Sequence, residues 1–240
     1  MMDQLITIKE AAKILGVSIM TLRRWDESGK LPAIRIGETG HRRYKESEIL
    51  LLTTSLFSLA RRWVLSETPQ EPEKDFYCQD SSIFKARFDR MESEIQKIPA
   101  LQETFSLITS SAGEIGNNSF DHNLGNWPDI PGIFYGYDLT KKIVILADRG
   151  RGILKTLQQV RPILSNDSEA LKVAFTEKLS GRAEKRGNGL KYVKINAMQG
   201  AISLDFQTGN AKLNLPKFAT NLNITEATNS FHGCLVLIEF

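Results

Sequence analysis

Residues 114–123 read EIGNNSFDHN and lie inside a longer run, ALQETFSLITSSAGEIGNNSFDHN, with helical spacing. Helices of water-soluble proteins commonly turn Leu, Ile and Val inward. Here Glu114, Asn118 and His122 stand four apart, so on a helix they stack along one face. A polar inner face on a buried helix is costly unless something binds to it. The stretch therefore predicts a helix that lines a ligand site.

The chain has 240 residues, enough for one or two domains, with 41% hydrophobic and 25% charged residues. No apolar run approaches the ~18 residues of a membrane span. The opening MMDQLITIKEAAKIL is amphipathic and carries Asp3 and Glu10 among its charges, unlike a signal peptide, so no membrane partner is expected. Two distant cysteines, Cys78 and Cys234, without a metal-ligand pattern, suit a reducing, cytoplasmic setting. The net charge of +3 is uneven: residues 1–63 hold 11 Lys/Arg and 7 Asp/Glu, and the remainder 20 and 21. The excess positive charge lies in the first quarter, where a nucleic-acid module would need it.

That quarter has a two-helix grammar. In ITIKEAAKILGVSIMTLRRWDESG, Thr7 and Glu10 form a capping-box pair, and Ala11, Ala12, Ile14 and Leu15 make an apolar side. Gly16 ends the first helix, and Ser18 or Thr21 starts a second that Gly29 stops. Leu22 and Trp25 face inward, and Thr21, Arg23 and Arg24 face outward. KLPAIRIGETGHRRYKESEI then reads as a hairpin around GETG, with His41, Arg42, Arg43 and Tyr44 on its second arm. On KEAAKILGVSIMTLRRWDESGKLP and GHRRY, residues 6–49 resemble the MerR-like winged helix-turn-helix of excisionases and serine-recombinase transposases. The resemblance implies double-stranded DNA as partner, with Thr21, Arg23 and Arg24 in the major groove and Arg42 and Arg43 in the wing. It also implies a dimer, in which the apolar stretch ILLLTTSLFSL of the following helix (46–63) can serve.

SETPQEPEKDFYCQDSS has two prolines and many charges and reads as a linker or surface segment. The expected division is 1–63 for the helix-turn-helix with its trailing helix, 64–82 for the linker, and 83–240 for a second domain. That domain opens with a helix through Ile83, Phe84, Phe88, Met91, Ile95 and Ile98, broken at Pro99. GIFYGYDL and KKIVILAD follow as an antiparallel strand pair.

The second strand ends in ADRGRGI. A dinucleotide fingerprint would need a third Gly where Lys155 stands, and no Walker A loop occurs. An adenine pocket is the remaining reading, with Asp148 accepting from the exocyclic amine and Gly150 and Gly152 permitting close backbone approach. Farther on, EKRGNGLKYVK sets Lys185, Arg186, Gly187 and Gly189 before a helix continued by Leu190, an arrangement that offers backbone N–H groups to phosphate.

Taken in order, Glu114-xxx-Asn118-xxx-His122, Asp148-x-Gly150-x-Gly152 and Gly187-x-Gly189-Leu190 resemble the GHKL ATPases, which include gyrase B, the histidine kinases and MutL. The resemblance covers about 100–240. It implies an α+β chain whose second domain is a two-layer α/β sandwich, the Bergerat ATP-binding fold, on a mixed, mainly antiparallel sheet. It implies ATP and Mg2+ as cofactors, Asn118 as magnesium ligand and Glu114 as general base. Asp148, Gly150, Gly152, Lys185, Arg186, Gly187, Gly189 and Leu190 would bind ATP, under a lid at 154–186. FHGCLVLIEF resembles the family's last box, with Cys234 in place of its usual Thr. None of His41, His122 and His232 sits where a histidine kinase keeps its phosphoacceptor. The closest branch in appearance is the anti-sigma-factor serine/threonine kinases, which act on a STAS-type partner. The reading is a DNA-binding regulator with an ATPase or kinase domain; the alternative is a transcription factor that only senses ATP.

Overall fold

The computed structural model describes residues 4–15, 17–27, 29, 31–37, 40–46, 48–49, 55–177 and 189–240. The chain divides into two compact units, Met1–Arg62 and Trp63–Phe240. Among the described residues, no helix is long and apolar enough to cross a membrane.

The first unit runs β1 (Leu5–Thr7), α1 (Ile8–Leu15), α2 (Ile19–Glu27), β2 (Ile34–Ile36) and β3 (His41–Lys45). The capping box forms: the Thr7 N–H donates to Glu10 Oε2 at 2.7 Å, and the Glu10 N–H to Thr7 Oγ1 at 3.2 Å. Ser18 rather than Thr21 caps α2, its hydroxyl accepting from the Thr21 N–H at 3.0 Å. Ala11, Leu22, Tyr44 and Ile49 are buried to 1% exposure or less and form the centre of a small core. The hairpin becomes three strands in the order β1-β3-β2, all antiparallel. Helix α3 (Leu56–Leu65) carries the division between the units. Of the trailing helix expected over 46–63, residues 46, 48–49 and 56–63 are helical; Gly16, residue 47 and residues 50–54 lie outside the described residues.

The second unit contains β4 (Tyr77–Cys78), α4 (Ser81–Ile95), a 3-10 turn at Pro99–Leu101, α5 (Phe105–Asn123), β5 (Ile133–Asp138) and β6 (Ile143–Asp148). It continues with α6 (Gly152–Gln158), α7 (Asp167–Thr176), α8 (Gly189–Met198), β7 (Ser203–Thr208), β8 (Ala211–Leu215), β9 (Asn223–Glu226) and β10 (Cys234–Glu239). The sheet order is β4-β5-β6-β10-β7-β8-β9. Every described pairing is antiparallel, where a mixed sheet was expected. The reason is that the last strand, β10, lies between β6 and β7. These two run in the same direction but never pair with each other.

Helices cover one face of the sheet. Phe84, Met91 and Ile95 of α4, Ile108, Ala112 and Ile115 of α5, Phe175 of α7 and Val193 of α8 share a core with Tyr135, Leu146, Phe206, Leu213 and Val236 of the strands. Strand alternation is clear in β8, where Ala211, Leu213 and Leu215 are buried and Lys212 and Asn214 are not. The stretch 64–82 contributes to this sheet: Phe76 stacks on Phe134 at 5.2 Å, and Tyr77 and Cys78 pair with Phe134 and Ile133. Its prolines and charges disguised three adjacent apolar residues. Burial pushes the Cys78 thiol up to about 11, against the lowering effect of nearby Arg87.

Helix α5 earns its place by small side chains rather than large ones. Ser111, Ala112, Gly113 and Gly116 are buried, and Asn196 of α8 donates to Leu107 O at 3.2 Å and Ser111 Oγ at 2.9 Å. These bonds hold α8 close along α5. A Cβ on Gly116 would strike the ring of Phe84, which is itself wedged among Phe88, Phe120 and Tyr135. Gly116→Ala is therefore expected to destabilise the second unit by about 1–3 kcal/mol, as overpacking does, read from the midpoint of urea denaturation.

Candidate functional site

Strand register brings three polar side chains to one end of the sheet. Asp148, Cys234 and Thr208 stand opposite one another across β6, β10 and β7. Residues in one row share a face, so all three lie on the helix-covered side. The Thr208 hydroxyl donates to Gly233 O at 2.9 Å and accepts from the Ile153 N–H at 3.2 Å. Asp148 is 2% exposed. Its Oδ2 accepts from Ser119 Oγ of α5 at 2.8 Å, and its Oδ1 from the Gly150 N–H at 2.9 Å. Burial raises its pKa to about 6; the hydrogen bonds from Gly150, Ser119 and Cys234 N–H oppose that rise. Burial likewise pushes the Cys234 thiol well up, and the neighbouring Asp148 adds to it.

The turn after β6 is closely fitted. Asn123 Oδ1, at the end of α5, accepts from the Arg151 N–H at 2.8 Å, and a Cβ on Gly150 would overlap the Asn123 amide. Gly233 has φ +91°, and a Cβ there would run into the Asp148 carbonyl. Only glycine meets both conditions at that position.

A second cluster forms where α8 begins. A Cβ on Gly189 would collide with the Glu114 carboxylate and lie 3.6 Å from Asn118 Nδ2. Glu114 and Asn118 thus border the N-terminus of α8, whose first N–H groups have no partner within the helix. Leu190 packs on the core beside them. The polar residues of α5 are divided differently from expectation. Glu114 is exposed, and Asn118 and His122 are partly exposed. The buried polar positions are Thr109, Ser111, Ser119 and Asn123. The helix keeps an apolar face of Ile108, Ala112, Ile115 and Phe120 and offers Glu114 and Asn118 at its flank. Gly187, Lys185 and Arg186 lie outside the described residues, as does 178–186 of the expected lid; the lid's described part holds most of α6 and all of α7. Ser119, Asn123 and Thr208 were missed. The first two show as polar residues in register with Ile108, Ala112 and Ile115, whereas Thr208 has no signal in the sequence.

In the first unit, Arg23 and Arg24 are exposed on α2, and Arg43 is partly exposed on β3. Thr21 Oγ1 lies 2.9 Å from Ser18 Oγ, so it serves the start of its own helix. Arg42 is tied inward: its Nε donates to Asp26 Oδ2 at 2.6 Å, the same oxygen that Arg35 reaches at 2.7 Å. Asp26 also accepts from the Ala33 N–H at 2.9 Å. That bond, with Arg42 and Arg35, outweighs burial and lowers the Asp26 pKa. Asp26 thereby fastens the hairpin to α2.

A sequence model described as "MerR family regulatory protein" matches residues 7–44. The first unit therefore carries a MerR-type helix-turn-helix. The chain is 44% identical over 48 residues to the transcriptional repressor DcmR of Methylorubrum extorquens, a match covering 20% of this chain and 18% of that protein. It is 38% identical over 63 residues to the type II methyltransferase M.Eco47II of Escherichia coli, covering 26% of this chain and 15% of that protein. The chain thus spans under a fifth of either relative.

The pH response of the second unit follows from Asp148. Its folded pKa of about 6 lies above the ordinary 3.8, so the native state holds the proton more tightly. That contribution is full below the ordinary value and is lost as pH rises through about 6, amounting to about 3 kcal/mol. Asp148→Asn has no such proton. Its stability relative to wild type is expected to rise by that order between about pH 4 and pH 7, measured by urea denaturation across the range.

Proposed function

We propose that this chain is a DNA-binding regulator whose second unit binds Mg-ATP and uses Glu114 for phosphoryl transfer. One observation carries the reading. Helix α5 places Ser119 on Asp148 at the end of β6 and, less than two turns earlier, Glu114 and Asn118 beside Gly189 at the start of α8. The carboxylate proposed for the base and the helix end proposed for phosphate thus both border one helix, which supports the reading.

The residues present fit the ligand. A carboxylate has about four acceptor positions, so Asp148 keeps one beyond those used by Ser119, the Gly150 N–H and the Cys234 N–H and can accept from an exocyclic amine. The α8 N-terminus suits phosphate oxygens. Among the described residues no cluster of three His, Cys, Asp or Glu side chains is suited to a metal, so magnesium would rest on the Asn118 amide oxygen and on phosphate oxygens. Glu114 is exposed and open to a water or hydroxyl. It would take the proton of that nucleophile as the new O–P bond forms and ADP leaves. The acceptor is water or a Ser/Thr-bearing protein of the STAS type. Glu114 at this place favours turnover over the alternative of a pure ATP sensor, which needs no base.

The MerR-type match and the repressor among the relatives support DNA as the first unit's partner, bound as a homodimer so that two modules share the phosphate contacts. Arg23, Arg24 and Arg43 are the side chains placed to meet it; Arg42 acts through the wing's attachment to Asp26.

Calorimetry and phosphate release on wild type, Glu114→Ala and Asp148→Asn test the ATP half. Wild type is expected to bind and turn over, Glu114→Ala to bind with turnover reduced about 100-fold or more, and Asp148→Asn to lose binding. Wild type that fails to bind Mg-ATP sinks the proposal. For the DNA half, Arg23→Ala and Arg24→Ala are expected to weaken duplex binding and flatten its salt dependence by about one unit of slope each. Folding stability should stay within about 0.5 kcal/mol of wild type.

A further inference from the structure

Arg149 follows Asp148 directly, and its guanidinium is 5% exposed. A buried guanidinium is tolerated when its donors are matched, and these are. Nε donates to Asp129 Oδ2 at 2.9 Å, Nη2 to the same oxygen at 2.7 Å, and Nη1 to the carbonyls of Trp63 and Val64 at 2.8 Å each. Nη2 also lies 3.3 Å from His232 Nε2. On the backbone side, His232 Nδ1 is 2.9 Å from Arg149 O and 3.2 Å from Gly150 O, placing its N–H on the turn itself. All these residues belong to the second unit.

Trp63 and Val64 are in the last turn of α3, where carbonyls lack partners within the helix. Arg149 supplies partners for both carbonyls, Trp63 O accepting also from the Ser66 N–H at 3.3 Å, and sets a positive charge at the negative end of the helix dipole. The same helix begins at Leu56, in the first unit. One residue therefore belongs at once to the Asp148 turn and to the end of the helix that leads back to the helix-turn-helix. The turn has little slack. Ser119 and the Gly150 N–H hold the Asp148 carboxylate, Asn123 holds the Arg151 N–H, and Gly233 lies against the Asp148 carbonyl.

We infer that Arg149 couples occupancy of the Asp148 turn to the C-terminal end of α3, so that ligand binding in the second unit and DNA binding in the first are thermodynamically linked. The inference rests on the nucleotide reading of that turn. A ligand that engages Asp148 narrows the positions open to the next residue. Its guanidinium carries the restriction to Trp63 and Val64, and the helix end is ordered in turn. Linkage is reciprocal, so DNA tightens or loosens the nucleotide by the same factor. Lysine cannot substitute: one ammonium cannot span a carboxylate and two carbonyls in the fork that Arg149 forms.

The test uses the full chain with Mg-ATP and a labelled duplex selected from a random-sequence pool. In wild type, ATP is expected to slow amide hydrogen exchange in residues 62–66 and to change duplex affinity by about 5-fold or more. In Arg149→Lys, both effects should fall below about 2-fold while ATP affinity stays within about 3-fold of wild type. Asp129→Asn, which weakens the same clamp from the other side, gives a second variant if the first does not fold. Exchange at 62–66 in wild type needs no variant. ATP that binds without altering that exchange or the duplex affinity overturns the coupling and leaves the nucleotide reading standing. So does an undiminished effect in a folded variant. Wild type that binds no ATP removes the nucleotide reading, and the coupling falls with it.

Discussion

The hydrogen bond from Ser119 to Asp148 ties the central helix to the end of the strand from which the candidate site is built. It works in both directions. It lets a carboxylate remain under the helix layer at 2% exposure, and it fixes the rotation of α5 about its own axis. Once Ser119 faces β6, helical spacing leaves Glu114 and Asn118 on the flank toward α8 and sends Asn123 to the turn after Asp148. A different rotation would put Glu114 against the apolar strands, where its charge would have no compensation.

Close approach of helices is the second requirement. The buried small residues of α5 allow α8 to lie near it, and Asn196 locks the pair through Leu107 and Ser111. The start of α8 then falls beside Glu114 and Asn118. A helix packed through Leu and Phe would stand farther off and carry its N-terminus away from them. Aromatic bulk is placed elsewhere, in the group of Phe84, Phe88, Phe120 and Tyr135 between α4, α5 and the sheet.

Much of this was legible in the chain, for identifiable reasons. Local rules suffice for the Thr7–Glu10 cap, the hairpin around GETG and the strand pair ending at Asp148, because each depends on residues only a few positions apart. The outward face of α2 was equally clear from Leu22 and Trp25. Features set by distant residues were hidden. No periodicity shows that β10 inserts between β6 and β7, and so nothing brings Thr208 into one row with Cys234 and Asp148. Arg42 reads as a free wing arginine until Asp26, sixteen residues earlier, claims it. The short strand Tyr77–Cys78 was obscured by the charges on either side. On α5 the inner face belongs not to Glu114, Asn118 and His122 but to Ile108, Ala112 and Ile115, with Ser111 and Ser119 in the same stripe.

The two cysteines have a practical bearing. Cys78 is held to about 11 and Cys234 well above its ordinary value, and thiol reagents attack the thiolate. Near neutral pH both thiols are accordingly held toward the less reactive protonated form, and Cys78 is buried as well. A cysteine introduced on an exposed loop would react far faster than either. Fluorophores or spin labels can thus be attached singly, at chosen surface positions, without first removing the thiol beside Asp148.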